Sequence, residues 1–85
     1  MEALDGNAIG GLLLEVFGAE LTAATGTCDH CGAVAYVAEL VVYLEAPGTV
    51  VRCPSCGSVV MVIVEVRGTK CVDLRGLAML ERETP

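Results

Sequence analysis

Two cysteine pairs carry the chemistry available to this chain: Cys28-Asp29-His30-Cys31-Gly32 and, after 21 intervening residues, Cys53-Pro54-Ser55-Cys56-Gly57. A Cys-x-x-Cys turn aims two sulfurs at one point. The glycine after each pair permits the positive φ that lets backbone N–H groups turn toward the thiolates. Two such turns supply four soft ligands, the tetrahedral set that zinc prefers. Paired-cysteine zinc sites usually separate their pairs by roughly 15–20 residues, and the 21 here are absorbed by a hairpin. The spacing therefore predicts one metal ion held by Cys28, Cys31, Cys53 and Cys56. A thioredoxin-like redox motif needs a strand feeding a helix behind the cysteines, whereas valine-rich strands flank both pairs.

The remaining candidates are weaker. His30 lies between two ligands and reads as an exposed tip residue, because four thiolates already close the site; hydrolytic zinc chemistry requires an open coordination position. Glu39, Glu45, Glu65 and Asp73 have no histidine or nucleophile to work with as acid/base groups, and read as a solvated or salt-bridged sheet face. Gly6, Gly10 and Gly11 resemble a phosphate loop only until the Lys-Ser/Thr that should follow proves to be missing. Tyr36 and Tyr43 fall on opposite faces of a regular strand, so they form no stacking platform. No catalytic constellation emerges, and the chain does not read as an enzyme.

The two pairs resemble the knuckles of the zinc-ribbon and rubredoxin-like group, whose members carry Cys-x-x-Cys-Gly followed by Cys-Pro-x-Cys-Gly. Rubredoxins use that signature for iron around an aromatic core. This chain has no Trp, one Phe and two Tyr, which makes iron the alternative to zinc. A wider set, Asp5-Gly6-Asn7, Phe17-Gly18, Ala46-Pro47-Gly48, Arg52-Cys53-Pro54 and Asp73-Leu74-Arg75-Gly76, resembles a small bacterial family of single-domain proteins with no assigned function. That resemblance covers nearly the whole length and implies no activity.

Eighty-five residues make one domain, spanning 1–85, near the size at which an apolar core alone is marginal and a metal staple is common. The formal charge is −6. Four thiolates around one divalent ion carry it to about −8, which opposes nucleic acid. Binding phosphate needs clustered cations, and only Arg52, Arg67, Lys70, Arg75 and Arg82 are available against 11 acids. The longest uncharged run is 12 residues, where a membrane helix needs about 20. Glu2, Asp5 and Glu15 do not suit a signal peptide. Paired thiols without such a signal predict a reducing cytoplasm.

The elements that must position the cysteines can be read from periodicity. Ile9, Leu12, Leu13, Val16 and Phe17 recur at helical spacing and predict a helix over about residues 6–17, with Asp5 as N-cap and Gly18 as the stop. Gly10 and Gly11 each cost that helix about 1 kcal/mol relative to Ala, so it depends on tertiary packing. From residue 21 the pattern becomes strand-like. Residues 21–27 lead into the first knuckle (28–32), and 33–36 read as irregular. Tyr36, Ala38, Leu40, Val42 and Leu44 then alternate on one face. Ala46-Pro47-Gly48-Thr49 reads as a type II turn. Residues 50–52 enter the second knuckle (53–57), and 58–67 leave it as a central strand apolar on both faces. Gly68-Thr69 suits a two-residue hairpin loop. Residues 70–75 return with Val72 and Leu74 inward, 77–80 extend the sheet or pack as an apolar tail, and 81–85 form a frayed end.

The expected fold is a small α+β metal-bound domain: a zinc-ribbon-like antiparallel meander of about five strands, preceded by one helix. An up-and-down meander puts both knuckles at one end and Cys71 at the other, as a small buried hydrophobe or strand filler rather than a ligand. One short helix covers part of one sheet face only, which predicts a homodimer or a protein partner on the second. The expected function is a zinc-stabilised cytoplasmic protein-interaction module. A rubredoxin-type iron electron carrier is the alternative, and a nucleic-acid-binding zinc ribbon a lesser one.

Overall fold

The computed structural model describes residues 3–45 and 48–82. Of the expected turn at Ala46-Pro47-Gly48-Thr49, Ala46 and Pro47 lie outside the described residues, as do residues 83–85 of the expected frayed end.

The chain opens with a two-residue strand, β1 (Leu4–Asp5). Asp5 then accepts the Asn7 N–H on its carboxylate at 3.1 Å, capping a 3-10 turn (Gly6–Ile9) that runs into α1 (Gly10–Phe17). Gly18 stops the helix in the left-handed region (φ 69°), its N–H donating to the Leu14 carbonyl at 2.8 Å. The expected helix over 6–17 is thus present, with its first turn tightened. Close backbone approach occurs at Gly6, where a Cβ would stand 1.7 Å from the Val37 carbonyl oxygen, and not at Gly11, which has open space around it.

The strands form two antiparallel sheets rather than one. The larger has the order β1-β4-β5-β6-β7, with β4 Val41–Glu45, β5 Gly48–Arg52, β6 Val59–Val66 and β7 Thr69–Asp73. The smaller has the order β3-β2-β8, with β2 Thr25–Cys28, β3 Val34–Tyr36 and β8 Leu77–Glu81. Four strands of the larger sheet keep the expected meander. Residues 34–36, expected to be irregular, pair with β2. Residues 77–81 do not extend the large sheet; they pair with β2 on its other side, so Glu81 is ordered opposite Thr25.

The expected long strand over 36–45 is interrupted by a 3-10 turn, Val37–Glu39. The Glu39 carboxylate accepts the Tyr36 N–H at 3.1 Å, and the Leu40 N–H closes the turn on the Val37 carbonyl at 3.1 Å. This turn carries the chain from one sheet to the other, and it breaks the alternation: Val37 is buried while Tyr36 and Leu44 are exposed.

The loop of the β6–β7 hairpin is Arg67-Gly68, one residue earlier than expected. Both residues have positive φ (52° and 79°) and Val66 pairs with Thr69, the two-residue geometry that matches the right-handed strand twist.

Register places Val42, Val51 and Met61 in one row of the large sheet, and Thr49, Ile63 and Val72 in the next row on the same face. This face packs on Ile9 and Leu13 of the helical segment, and Lys70, which shares it, reaches the Glu15 carboxylate on α1 at 2.7 Å. A bulge sets Val59 opposite Arg52 and Met61 opposite Val51, so Val60 is an extra residue. The consecutive residues Val60 and Met61 are both buried as a result. Among the described residues no helix is long and apolar enough to cross a membrane.

Candidate metal centre

Each cysteine pair sits in the hairpin of a different sheet: residues 28–32 join β2 to β3 in the small sheet, and residues 53–57 join β5 to β6 in the large one. The two hairpins repeat one hydrogen-bond pattern. Gly32 N–H donates to the Cys28 carbonyl and Gly57 N–H to the Cys53 carbonyl, both at 2.9 Å. The Cys28 N–H donates to the Ala33 carbonyl at 2.9 Å, and the Cys53 N–H to the Ser58 carbonyl at 2.8 Å. Gly32 and Gly57 have φ of 77° and 79° with no atom near the position of a Cβ, so conformation alone calls for glycine there.

The hairpins meet sulfur to sulfur. Cys28, Cys31, Cys53 and Cys56 have their Sγ atoms all within 4.8 Å of one another, and both the Cys28–Cys56 and the Cys31–Cys53 separations are 3.7 Å. All four are free thiols. Sulfurs placed about 2.3 Å from a common centre at tetrahedral angles are roughly 3.8 Å apart, so the cluster can hold a metal ion with little movement. The first cysteine of each pair is buried in the core and the second is exposed.

The electrostatics of the bare cluster are unequal. Hydrogen bonds from the Ser58 hydroxyl and N–H hold Cys56 down to about 6. Backbone N–H groups of Cys56 and Ser55 lower Cys53, the Ser55 N–H lying 3.4 Å from its sulfur. At Cys31 the Ala33 N–H favours the thiolate, but desolvation and the three neighbouring sulfurs together outweigh it and push the thiol up to about 12. Four thiolates cannot gather here unaided, and a divalent cation would supply the charge that lets them do so.

His30 is exposed at the tip of its hairpin and does not belong to the cluster. Cys71 lies across from Val64 on β7, about 17 Å along the sheet from the Val59 end of β6 at 3.3 Å per residue, and is not a member either. It is exposed rather than buried, because it sits on an edge strand. The three of the four acids whose side chains are described are not assembled into a set. Glu39 caps a turn, Asp73 binds the Arg75 guanidinium at 2.7 Å, Glu65 is exposed opposite Lys70, and the Glu45 side chain lies outside the described residues. Tyr36 and Tyr43 belong to different sheets.

Two contributors escaped the sequence reading. Ser58 polarises Cys56, which its place two residues after a ligand could have suggested. Gly76 accepts the Asp29 N–H at 2.9 Å, and a Cβ on it would stand 2.2 Å from the Val59 carbonyl oxygen. It thus lies against both cysteine hairpins, a position no local pattern announces.

Residues 1–85 match a family described as a family of unknown function (DUF6510), and the chain belongs to that family. No curated protein and no solved structure matches it.

Proposed function

We propose that this member of a family without an assigned activity is a zinc-stabilised protein-interaction module, with a structural ion held by Cys28, Cys31, Cys53 and Cys56. The observation that carries the reading is the origin of the ligands: two sulfurs come from each sheet, so an ion there ties together two layers that are otherwise small. Structural zinc binds with roughly 10–16 kcal/mol near neutral pH, comparable to the entire stability of such a domain. Four thiolates leave zinc no open position, which favours a structural over a hydrolytic role. Thiol ligands call for a reducing compartment, consistent with the cytoplasm. The acidic charge of −6 favours protein over nucleic acid as the partner.

The exposure of Cys31 and Cys56 favours one second reading, a rubredoxin-type iron site, since an electron carrier needs a cluster edge near solvent. Elemental analysis of protein grown in unmanipulated medium separates the two. Zinc at one ion per chain and a colourless solution support the structural reading; iron with a visible thiolate-to-iron absorption overturns it.

A further inference from the structure

The four sulfurs differ in what can reach them. Cys31 and Cys56, the second cysteines of the two hairpins, are exposed, whereas Cys28 and Cys53 are buried at 4% exposure each. Each exposed sulfur rests 3.7 Å from a buried sulfur of the other hairpin: Cys56 against Cys28, and Cys31 against Cys53. Each contact therefore sets a sulfur that a dissolved oxidant reaches beside one that it does not, and crosses from one sheet to the other. From this we infer that the cluster is a peroxide-oxidation site, convertible from a four-thiolate metal centre to two disulfides, Cys28–Cys56 and Cys31–Cys53, that keep the sheets joined after the ion leaves. The inference rests on the metal reading and goes beyond it.

The chemistry balances with hydrogen peroxide as the sole oxidant. The Cys56 thiolate attacks one peroxide oxygen, the O–O bond breaks, and a sulfenic acid and a hydroxide ion result. The Cys28 thiolate then attacks the Cys56 sulfur; the S–S bond forms as the S–O bond breaks, and a second hydroxide leaves. Cys31 and Cys53 repeat the sequence with a second peroxide. Four thiolates thus lose four electrons, two peroxides become four hydroxides, and the divalent ion is released for want of thiolate ligands. Coordination slows reaction at sulfur without abolishing it, so the conversion answers excess peroxide.

Exposure and topology select the pairing. A disulfide within either pair joins residues three apart and leaves the two sheets without a tie at the cluster. Cys28–Cys56 and Cys31–Cys53 span 28 and 22 residues, and a longer closed loop removes more freedom from the unfolded chain. Reshuffling among sulfurs that all lie within 4.8 Å of one another therefore favours the cross-linked folded form. The other cross-hairpin pairing, Cys31–Cys56 with Cys28–Cys53, would leave two buried sulfurs to a reagent that does not reach them.

The zinc-loaded full chain, with its metal content measured beforehand, is treated with excess hydrogen peroxide, quenched with catalase and digested with trypsin without reduction. Arg52 is the first Lys or Arg of the chain, so the two pairs fall on separate peptides, 1–52 and 53–67. The expected result is a fall from one zinc per chain to nearly none, read with a chromogenic chelator. The two peptides should run as one joined mass whose fragmentation gives Cys28–Cys56 and Cys31–Cys53, while circular dichroism is retained. Dithiothreitol with zinc should restore the starting state, and Cys71→Ser, which removes links between chains, should change none of this. Unjoined peptides each lighter by two hydrogens, a Cys31–Cys56 link, sulfinic acids in place of disulfides, an unfolded product, or zinc retained on four intact thiolates would overturn the inference. Protein that holds no zinc before peroxide is added fails the metal reading instead, and its disulfide pairing still decides the oxidation site.

Discussion

Asp29 donates its backbone N–H to the carbonyl of Gly76 at 2.9 Å, and the same glycine presses so closely on the second hairpin that a Cβ would fall 2.2 Å from the Val59 carbonyl oxygen. One residue therefore braces both hairpins that bear the cysteines. Gly76→Ala cannot be accommodated without backbone movement, because the obstructing atoms are themselves backbone. The expected cost is about 1–3 kcal/mol, with faster metal loss to a chelator. Gly11→Ala, on an exposed helical position with open space, should instead stabilise by up to about 1 kcal/mol. Thermal melts of the two variants check the contrast; Gly76→Ala melting with the parent would show that the brace is not needed.

Replacing Cys28, Cys31, Cys53 or Cys56 by Ser should lower metal content well below one ion per chain and unfold much of the domain. The lost binding energy is comparable to a small domain's total stability of about 5–15 kcal/mol. Cys71→Ser should change neither, since Cys71 lies on an edge strand outside the cluster. Metal analysis with circular dichroism measures both outcomes, and a metal-depleted Cys71 variant would mean the strand directions around the site are misassigned.

The ligands were legible because metal chemistry is written locally, in residue type and spacing. The helix ends at Asp5 and Gly18 were legible for the same reason. The second sheet was not: β2 pairs with β8, some fifty residues away, and strand pairing at that separation leaves no mark on the period of either segment. The Val37–Glu39 turn was hidden by an apolar alternation that continued through it. Gly68 fits either the first or the second position of a two-residue loop, which is why the expected Gly68-Thr69 loop differs by one residue from the observed Arg67-Gly68. Gly6 and Gly76 are needed for space beside the distant carbonyls of Val37 and Val59, information no neighbouring residue carries.

Arg67 is a non-glycine residue in the left-handed region, at φ 52°. Its side chain is exposed, so the strained conformation is not repaid by packing. Arg67→Asn suits the first loop position of this hairpin type and should stabilise by about 0.5–1 kcal/mol. Denaturant unfolding reads the gain as a higher midpoint at unchanged slope; a lower midpoint would point to an unrecognised role for the guanidinium.

Nucleic acid should not bind at physiological salt. The chain has five cations against 11 acids, and among the described ion pairs Lys70 is engaged by Glu15 and Arg75 by Asp73. Few remain to displace phosphate counterions. Fluorescence anisotropy with labelled duplex DNA and single-stranded RNA should stay flat through micromolar protein, and a salt-sensitive rise would contradict the electrostatic argument.

The final prediction concerns the thiols of metal-free protein, in the fraction that circular dichroism shows to remain folded at low temperature. Cys31 and Cys56 are both exposed, so accessibility does not distinguish them. Their ionisation does. Hydrogen bonds from Ser58 hold Cys56 down to about 6, whereas desolvation and the neighbouring sulfurs push Cys31 up to about 12. The thiolate is the nucleophile, and its fraction rises with pH through the pKa of its own group. At pH 7 Cys56 is therefore mainly thiolate and Cys31 almost wholly thiol. Iodoacetamide followed by peptide mass mapping should modify Cys56 well before Cys31, and the Cys56 rate should fall as pH drops through about 6. Ser58→Ala should move that midpoint upward, because it removes the hydroxyl that favours the thiolate. Loading the site with zinc should protect both cysteines while leaving exposed Cys71 open to the reagent. Equal rates at Cys31 and Cys56 in the metal-free protein would show that the cluster does not hold its two hairpins at these separations without the ion.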